Sequence, residues 1–346
     1  MLRINMDTIN ENTSIFTPNT YKRVSVIKRI TPQYTDTILK YLITTPKIVF
    51  MKPLYTTTKQ SAPLASLIES RFARFDSILN AVKSLRQKYI IDLPPHKITI
   101  YGNNVSIDFI NHVASIISWW NKIKSQTYII TFYLTNIKKR IPPSNHPKVL
   151  TEEYMNSGFT FIKEPCEIHI FRKEESLKVL IHELIHASRF DCNHIDLINV
   201  PVVIKDEDLA NEGITEYLAI IHYYWYIATF MNTLINSDEQ NIFIDLLSDD
   251  LGWQYYQINK ILLYFELKPE ELLSKNNYKQ RTSVISYFFL KNYLFQQNSL
   301  PIILSKDKSK INILISKMRE YILQFNTDSI LENSISMRMS LYELNY

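Results

Sequence analysis

Apolar and polar positions follow different rhythms along the chain, and each rhythm predicts a different element. From about residue 34 to 92 the spacing is mostly helical. Within it, SLIESRFARFDSILNAVKSLRQ (66–87) returns Leu67, Phe72, Phe75, Leu79 and Val82 to one face, which predicts an amphipathic helix. The LPP at 93–95 breaks it. KITIYG (97–102) reads as a short strand, and the apolar stretch at about 106–124, with Trp119 and Trp120, as a long helix. TYIITFYLT (127–135) is rich in β-branched and aromatic residues and predicts a buried strand, and EIHIFRK (167–173) alternates as another. KKRIPPSNHP (138–147) separates them as a loop. A helix is expected from Glu174 to about Phe190, then an irregular stretch ending in NVPVVI, then a helix that opens near 206–208 and runs to about 231. The remainder reads as mainly helical. This order gives an α+β fold. It divides into a polar arm (1–20), a mainly helical N-terminal part (21–100), a central core (101–235) and a helical C-terminal subdomain (236–346).

Composition narrows the class without naming a chemistry. Hydrophobic residues make up 46% and charged residues 21%, which suits a globular chain with a sizeable core. The net charge of +5 is spread out, and its densest stretch, YKRVSVIKRI (21–30), alternates with apolar residues. No nucleic-acid partner is therefore expected. The N-terminus lacks the pattern of a secretory signal, and two cysteines, Cys166 and Cys192, make no disulfide framework. An intracellular, reducing location follows, with a virion an option for a viral chain. YLAIIHYYWYIATFMNTLI (217–235) is about as long as a membrane span. It carries His222 and several tyrosines and continues a segment bearing Glu212 and Glu216, so it reads as a buried core helix and no membrane span is expected.

The chemistry concentrates in SLKVLIHELIH (176–186). Leu177, Leu180, Ile181, Leu184 and Ile185 share one broad arc of the predicted helix, while His182, Glu183 and His186 share the opposite one. Burying two imidazoles and a carboxylate is costly unless something satisfies them, and a metal ion does so. Histidines one turn apart can both reach one Zn²⁺, leaving the glutamate between them to face a bound water. A third ligand is then required. Continuation as HExxHxxGxxH fails, because Arg189 and Cys192 stand at the Gly and His positions. His194 could ligate only after an unusual turn. LANEGITEYLA (209–219) offers Glu212 and Glu216, four apart on one helical face. The plainer alternative for that pair is a solvated helix surface. Gly213, one of only four glycines, follows Glu212, and a close approach of backbone or site would account for it.

HELIH followed by NEGITEY resembles the gluzincin zinc peptidases. The resemblance implies a zincin-like core: a small sheet with an edge strand, an active-site helix and a ligand helix. It implies one Zn²⁺ per chain held by His182, His186 and Glu212, with Glu183 as general base. Glu216 would orient a ligand histidine through its other ring nitrogen. The strand EIHIFRK matches the edge strand that aligns an extended substrate, with His169 a rim or core residue on it. An oxyanion donor is also needed. Tyr287 is favoured, with Arg281, His222, Tyr223 and Tyr224 as other candidates. HELIHA also resembles clostridial neurotoxin light chains, and the stretch 157–183 resembles uncharacterised HExxH proteins of large DNA viruses.

The function expected is zinc-dependent endopeptidase action on a protein or peptide substrate. The competing class is a catalytically silent zincin-fold structural or interaction protein, such as a virion component. A DNA-linked protease would want a third histidine ligand and a basic region, and neither is evident. Oligomeric state, substrate and latency leave no mark in the sequence.

Overall fold

The computed structural model describes residues 32–142, 149–191, 207–273, 282–325 and 335–344. The expected polar arm, His194, Cys192 and Arg281 lie outside them. The chain is α+β, a six-stranded mixed sheet followed by a mainly helical C-terminal part.

The elements run in order through α1 (Pro32–Thr44), β1 (Tyr55–Lys59), α2 (Ala65–Glu69), α3 (Asp76–Lys83), β2 (Gln87–Leu93) and β3 (His96–Gly102). Then come α4 (Ile107–Ile123), β4 (Tyr128–Tyr133), α5 (Glu152–Met155), β5 (Gly158–Phe161), β6 (Cys166–Ile170) and α6 (Ser176–Ala187). The C-terminal part holds α7 (Glu207–Ile235), α8 (Glu239–Phe265), a π-helical turn (Ser286–Leu290) and α9 (Lys291–Gln296). Three short helices follow, α10 (Leu300–Ser305), α11 (Lys308–Ser316) and α12 (Met318–Leu323).

Two expectations are corrected. The helix expected over 66–87 is two short helices, α2 and α3, and its last residue already belongs to β2. The described part of the stretch 21–100, residues 32–100, is accordingly not mainly helical: it supplies β1, β2 and most of β3, and LPP turns a β2–β3 hairpin rather than ending a helix. QKYIIDL alternates with period 2, but the helical pattern before it masks the change of rhythm.

The sheet runs β1-β2-β3-β4-β6-β5, with β3, β4 and β6 parallel and the outer pairs antiparallel. Cross-strand rows explain why both faces are covered. Ile98, Ile130 and Ile168 stand side by side, as do Ile100, Phe132 and Ile170. All six are buried in one large core with the apolar sides of α4, α6 and α7. On the other face Tyr101, Tyr133, His169 and Phe159 form a stack across β3, β4, β6 and β5, sealed by Leu67, Ile78 and Val82 of α2 and α3. α4 begins at Ser106, whose hydroxyl accepts from the Phe109 N–H at 3.1 Å, a conventional N-cap.

The sheet order moves the edge strand. β6, taken from the sequence as the edge, is interior, because the short GFTF segment pairs antiparallel with it and becomes the edge as β5. A four-residue run with one glycine is too short to announce itself as a strand. Arg172, just after β6, is fully buried and donates to the carbonyls of Asn156, Lys138 and Glu153, which fixes the approach to β5.

No helix among the described residues is long and apolar enough to cross a membrane. In α7 the stretch Tyr217–Ala228 is buried throughout, as expected for a core helix.

Candidate metal centre

The helix that carries the motif is α6, and the next long helix in sequence, α7, packs against it. Helical spacing turns His182 and His186 toward α7, where Glu212 and Glu216 stand one turn apart. The Nε2 atoms of His182 and His186 lie 3.1 Å from each other. Glu212 Oε2 is 3.2 Å from the first and 3.6 Å from the second. Four ligands placed tetrahedrally at zinc–nitrogen and zinc–oxygen distances are separated by about 3.3 Å, so this triangle has the right size. His182, His186 and Glu212 could therefore hold a metal ion.

The outer ring nitrogens strengthen that fit. His182 Nδ1 is 2.9 Å from Glu216 Oε2, and His186 Nδ1 is 2.8 Å from Asp191 Oδ2. Each Nδ1–H donates to a carboxylate, so in the neutral ring Nε2 is the nitrogen left with a lone pair for an ion. Glu216 is 0% exposed, which excludes the solvated-surface alternative for it, while the Glu212 side chain is 24% exposed. The centre thus opens to solvent on the Glu212 and His186 side.

Charge in the site follows from burial set against close partners. Burial pulls the His182 and His186 imidazoles down, but the adjoining carboxylates outweigh it and raise both. Burial would raise the Glu212 and Glu216 carboxyls; the imidazoles hold Glu212 well below the usual carboxylate range, and Lys178 and Lys291 do most of the same for Glu216. Glu183 goes the other way, since burial pushes its carboxyl up. Its Oε2 accepts from Thr160 Oγ1 of β5 at 2.7 Å.

The structure brings Tyr287 to the same place. Its hydroxyl is 3.2 Å from Glu212 Oε2 and its ring 6.2 Å from that of His182. The other described candidates lie elsewhere: the Tyr224 hydroxyl donates to Asp250, Tyr223 is buried in the helical core, and His222 packs between Trp120 and Tyr41. His169 is buried in the aromatic stack of the sheet. Gly213 does mark a close approach, but to a side chain. A Cβ there would stand 2.5 Å from Leu290 Cδ2. Its absence lets the turn carrying Tyr287 seat against α7.

Three contributors escape sequence reasoning. Asp191 follows the helix and has no periodicity to mark it. Thr160 sits on a strand too short to recognise. Lys178 is the one that left a signal: it stands one turn before His182, a charged residue on a mostly apolar helix that is buried almost completely. Its ammonium is 2.7 Å and 2.9 Å from the two oxygens of Glu216.

Compared with protein-family models, with curated proteins and with solved structures, the chain matches none.

Proposed function

We propose that this protein is a zinc-dependent endopeptidase with a gluzincin-like arrangement, one Zn²⁺ being held by His182, His186 and Glu212. The observation that carries the reading is Glu183. It is a buried carboxylate beside the triad, and its hydrogen-bond partner among the described residues is the neutral Thr160. A buried carboxylate without a cation is costly, and a purely structural metal site has no use for one.

The ion, when bound, would supply Lewis acidity and bring a coordinated water to a pKa of about 7. Glu183 takes a proton from the attacking water and returns it to the leaving amine. Its raised pKa suits that exchange, and Thr160 holds it in place. Tyr287 donates to the oxygen on which charge develops. Glu216 and Asp191 keep the two ligand imidazoles in the tautomer that leaves Nε2 free. The outer edge of β5, the last strand of the sheet among the described residues, aligns an extended peptide by strand addition.

One observation favours the silent alternative. The cavity lined by His182, Glu183, Gly158 and Tyr287 is small, with a volume of about 30 Å³. Elemental analysis of wild type, Glu212→Ala and Glu183→Gln, with peptide-library cleavage read by mass spectrometry, separates the two. The peptidase reading expects one zinc per chain in wild type and Glu183→Gln, much less in Glu212→Ala, and cleavage by wild type alone. Zinc in wild type with no cleavage would favour the silent alternative, and full activity in Glu183→Gln would refute the mechanism.

A further inference from the structure

The segment 335–344 ends the described chain far from α6 in sequence, yet it lies directly behind the metal centre. Glu216, which accepts from His182 Nδ1, is gripped from its other side by two buried ammonium groups. Lys178 Nζ is 2.7 Å from Glu216 Oε1, and Lys291 Nζ is 3.6 Å from the same atom. Both lysines reach onward to the C-terminal segment. Lys291 donates to the Met339 carbonyl at 2.6 Å, and Lys178 stands 3.8 Å from Met339 Sδ.

The same segment meets the N-terminus of α6. Glu175, at the N-cap, accepts from the Met339 N–H at 3.0 Å, from the Ser340 N–H at 2.7 Å and from the Ser340 hydroxyl. Its other oxygen takes Lys139 Nζ at 2.9 Å. Glu175 does this from a left-handed backbone, φ 58°, a conformation that persists in a non-glycine residue only where its surroundings over-determine it. Leu341 N–H donates to Asp250 at 2.8 Å, and the Arg140–Ser336 bridge ties the start of the segment down. Buried charges need such partners, and here main-chain groups of 339–341 supply several of them.

We infer that residues 335–344 are a working part of the metal centre. By seating Lys178 and Lys291 against Glu216 they set the orientation of His182, so metal affinity and docking of this segment are coupled. Lys178 is a positioning residue in this scheme, acting on the ion through Glu216 and His182. The coupling is reciprocal, because a change in metal affinity on docking requires an equal change in docking on metal binding. The inference rests on the metal-site reading above.

The test is zinc affinity of the full-length chain, measured by competition with a chromophoric chelator. Lys178→Met removes the ammonium at similar length. Ser340→Pro removes the N–H and hydroxyl whose hydrogen bonds Glu175 accepts, while leaving every residue of α6 and α7 unchanged. Ile311→Ala, in the α11 core, is the control for general destabilisation. Loss of a group that orients a ligand weakens metal binding by about ten- to a hundredfold. That loss is expected in both site variants, with the control within about twofold of wild type. Wild-type affinity in a folded Lys178→Met and Ser340→Pro would overturn the inference while leaving the metal site intact. Failure of wild type to bind zinc at all would instead overturn the metal reading. Amide exchange on wild type tests the coupling with no variant. Zinc should slow Met339, Ser340 and Leu341 more than Val113 in α4, and equal slowing, or none, would refute it.

Discussion

At the scale of single residues, the candidate centre is defined as much by the groups behind the two imidazoles as by the triad itself. Asp191 fixes His186 through Nδ1, the ring nitrogen turned away from the triad, and Thr215 Oγ1 donates to the same carboxylate oxygen at 3.1 Å. Asp191→Ala is expected to weaken zinc binding by about ten- to a hundredfold, with chelator competition as the measurement. An unchanged affinity would mean that the imidazole is held by packing alone. Gly158 makes a different demand. A Cβ at this position would meet Glu183 Oε1 and Val179 Cγ1, both at 2.9 Å, and the His169 carbonyl at 3.1 Å. The carboxylate could swing aside, but the sheet backbone could not. Gly158→Ala is therefore expected to cost about 1–3 kcal/mol of stability, as overpacking does. It should also displace the base that the proposed chemistry depends on. A urea midpoint equal to wild type would show that β5 stands further from α6 than these distances require.

At the scale of elements, sequence reasoning succeeded where one helix carries its own contrast and failed where contacts join distant segments. His182, Glu183 and His186 were legible because polar groups recur with helical period on an otherwise apolar helix, and Glu212 and Glu216 were legible for the same reason on α7. Thr160 and Lys178 act through partners 23 and 38 residues away, and Glu175 through partners 164 and 165 residues away. No local pattern encodes such pairings. The edge strand was misplaced because four residues carry too little periodicity. Gly213 lies between the two cases: its oddity was visible, its neighbour Leu290 was not. The distances allow a sign to be predicted. In an exposed helix Gly→Ala stabilises by roughly 1 kcal/mol. Here a Cβ would stand 2.8 Å from Leu290 Cγ and 3.0 Å from its Cβ, so more than the tip of that side chain must give. Gly213→Ala should therefore destabilise by about 1–3 kcal/mol. In a Leu290→Ala background, where most of the obstruction is gone, the same change should become neutral or stabilising. A double-mutant cycle on urea midpoints measures this, and additive effects would count against the proposed contact.

At the scale of the whole molecule, buried histidines outside the candidate metal centre predict how the fold responds to acid. Burial lowers His96 as well, but His112, His169 and His222 are the three most strongly shifted. His112 joins α4 to α7, its Nδ1 2.8 Å from the Tyr226 hydroxyl and its ring against Phe230. His169 lies in the aromatic stack of the sheet, and His222 joins α7 to α1 through Tyr41. Burial pulls each imidazole down to about 4, and for His112 and His169 the nearby Asp108 and Glu167 offset it only in part. His222 shows why neutrality is built in: Nδ1–H donates to the Leu218 carbonyl at 2.8 Å, which leaves Nε2 to accept from Tyr41, and a second proton would remove that acceptor. The folded pKa values lie below the ordinary value of about 6.5, so between about pH 6.5 and 4 the unfolded chain binds more protons than the folded one. Stability should be fully present above that window and fall as pH drops through it, by about 1.4 kcal/mol per pH unit for each histidine. Urea midpoints taken from pH 7 to 4.5 in chelator would show the decline. His222→Asn should lower stability at every pH, through lost packing, yet flatten the slope by one histidine's share. A slope unchanged by that substitution would mean that the imidazole is already protonated, or solvated, in the folded protein, and that the α1–α7 contact is looser than the Tyr41 hydrogen bond implies.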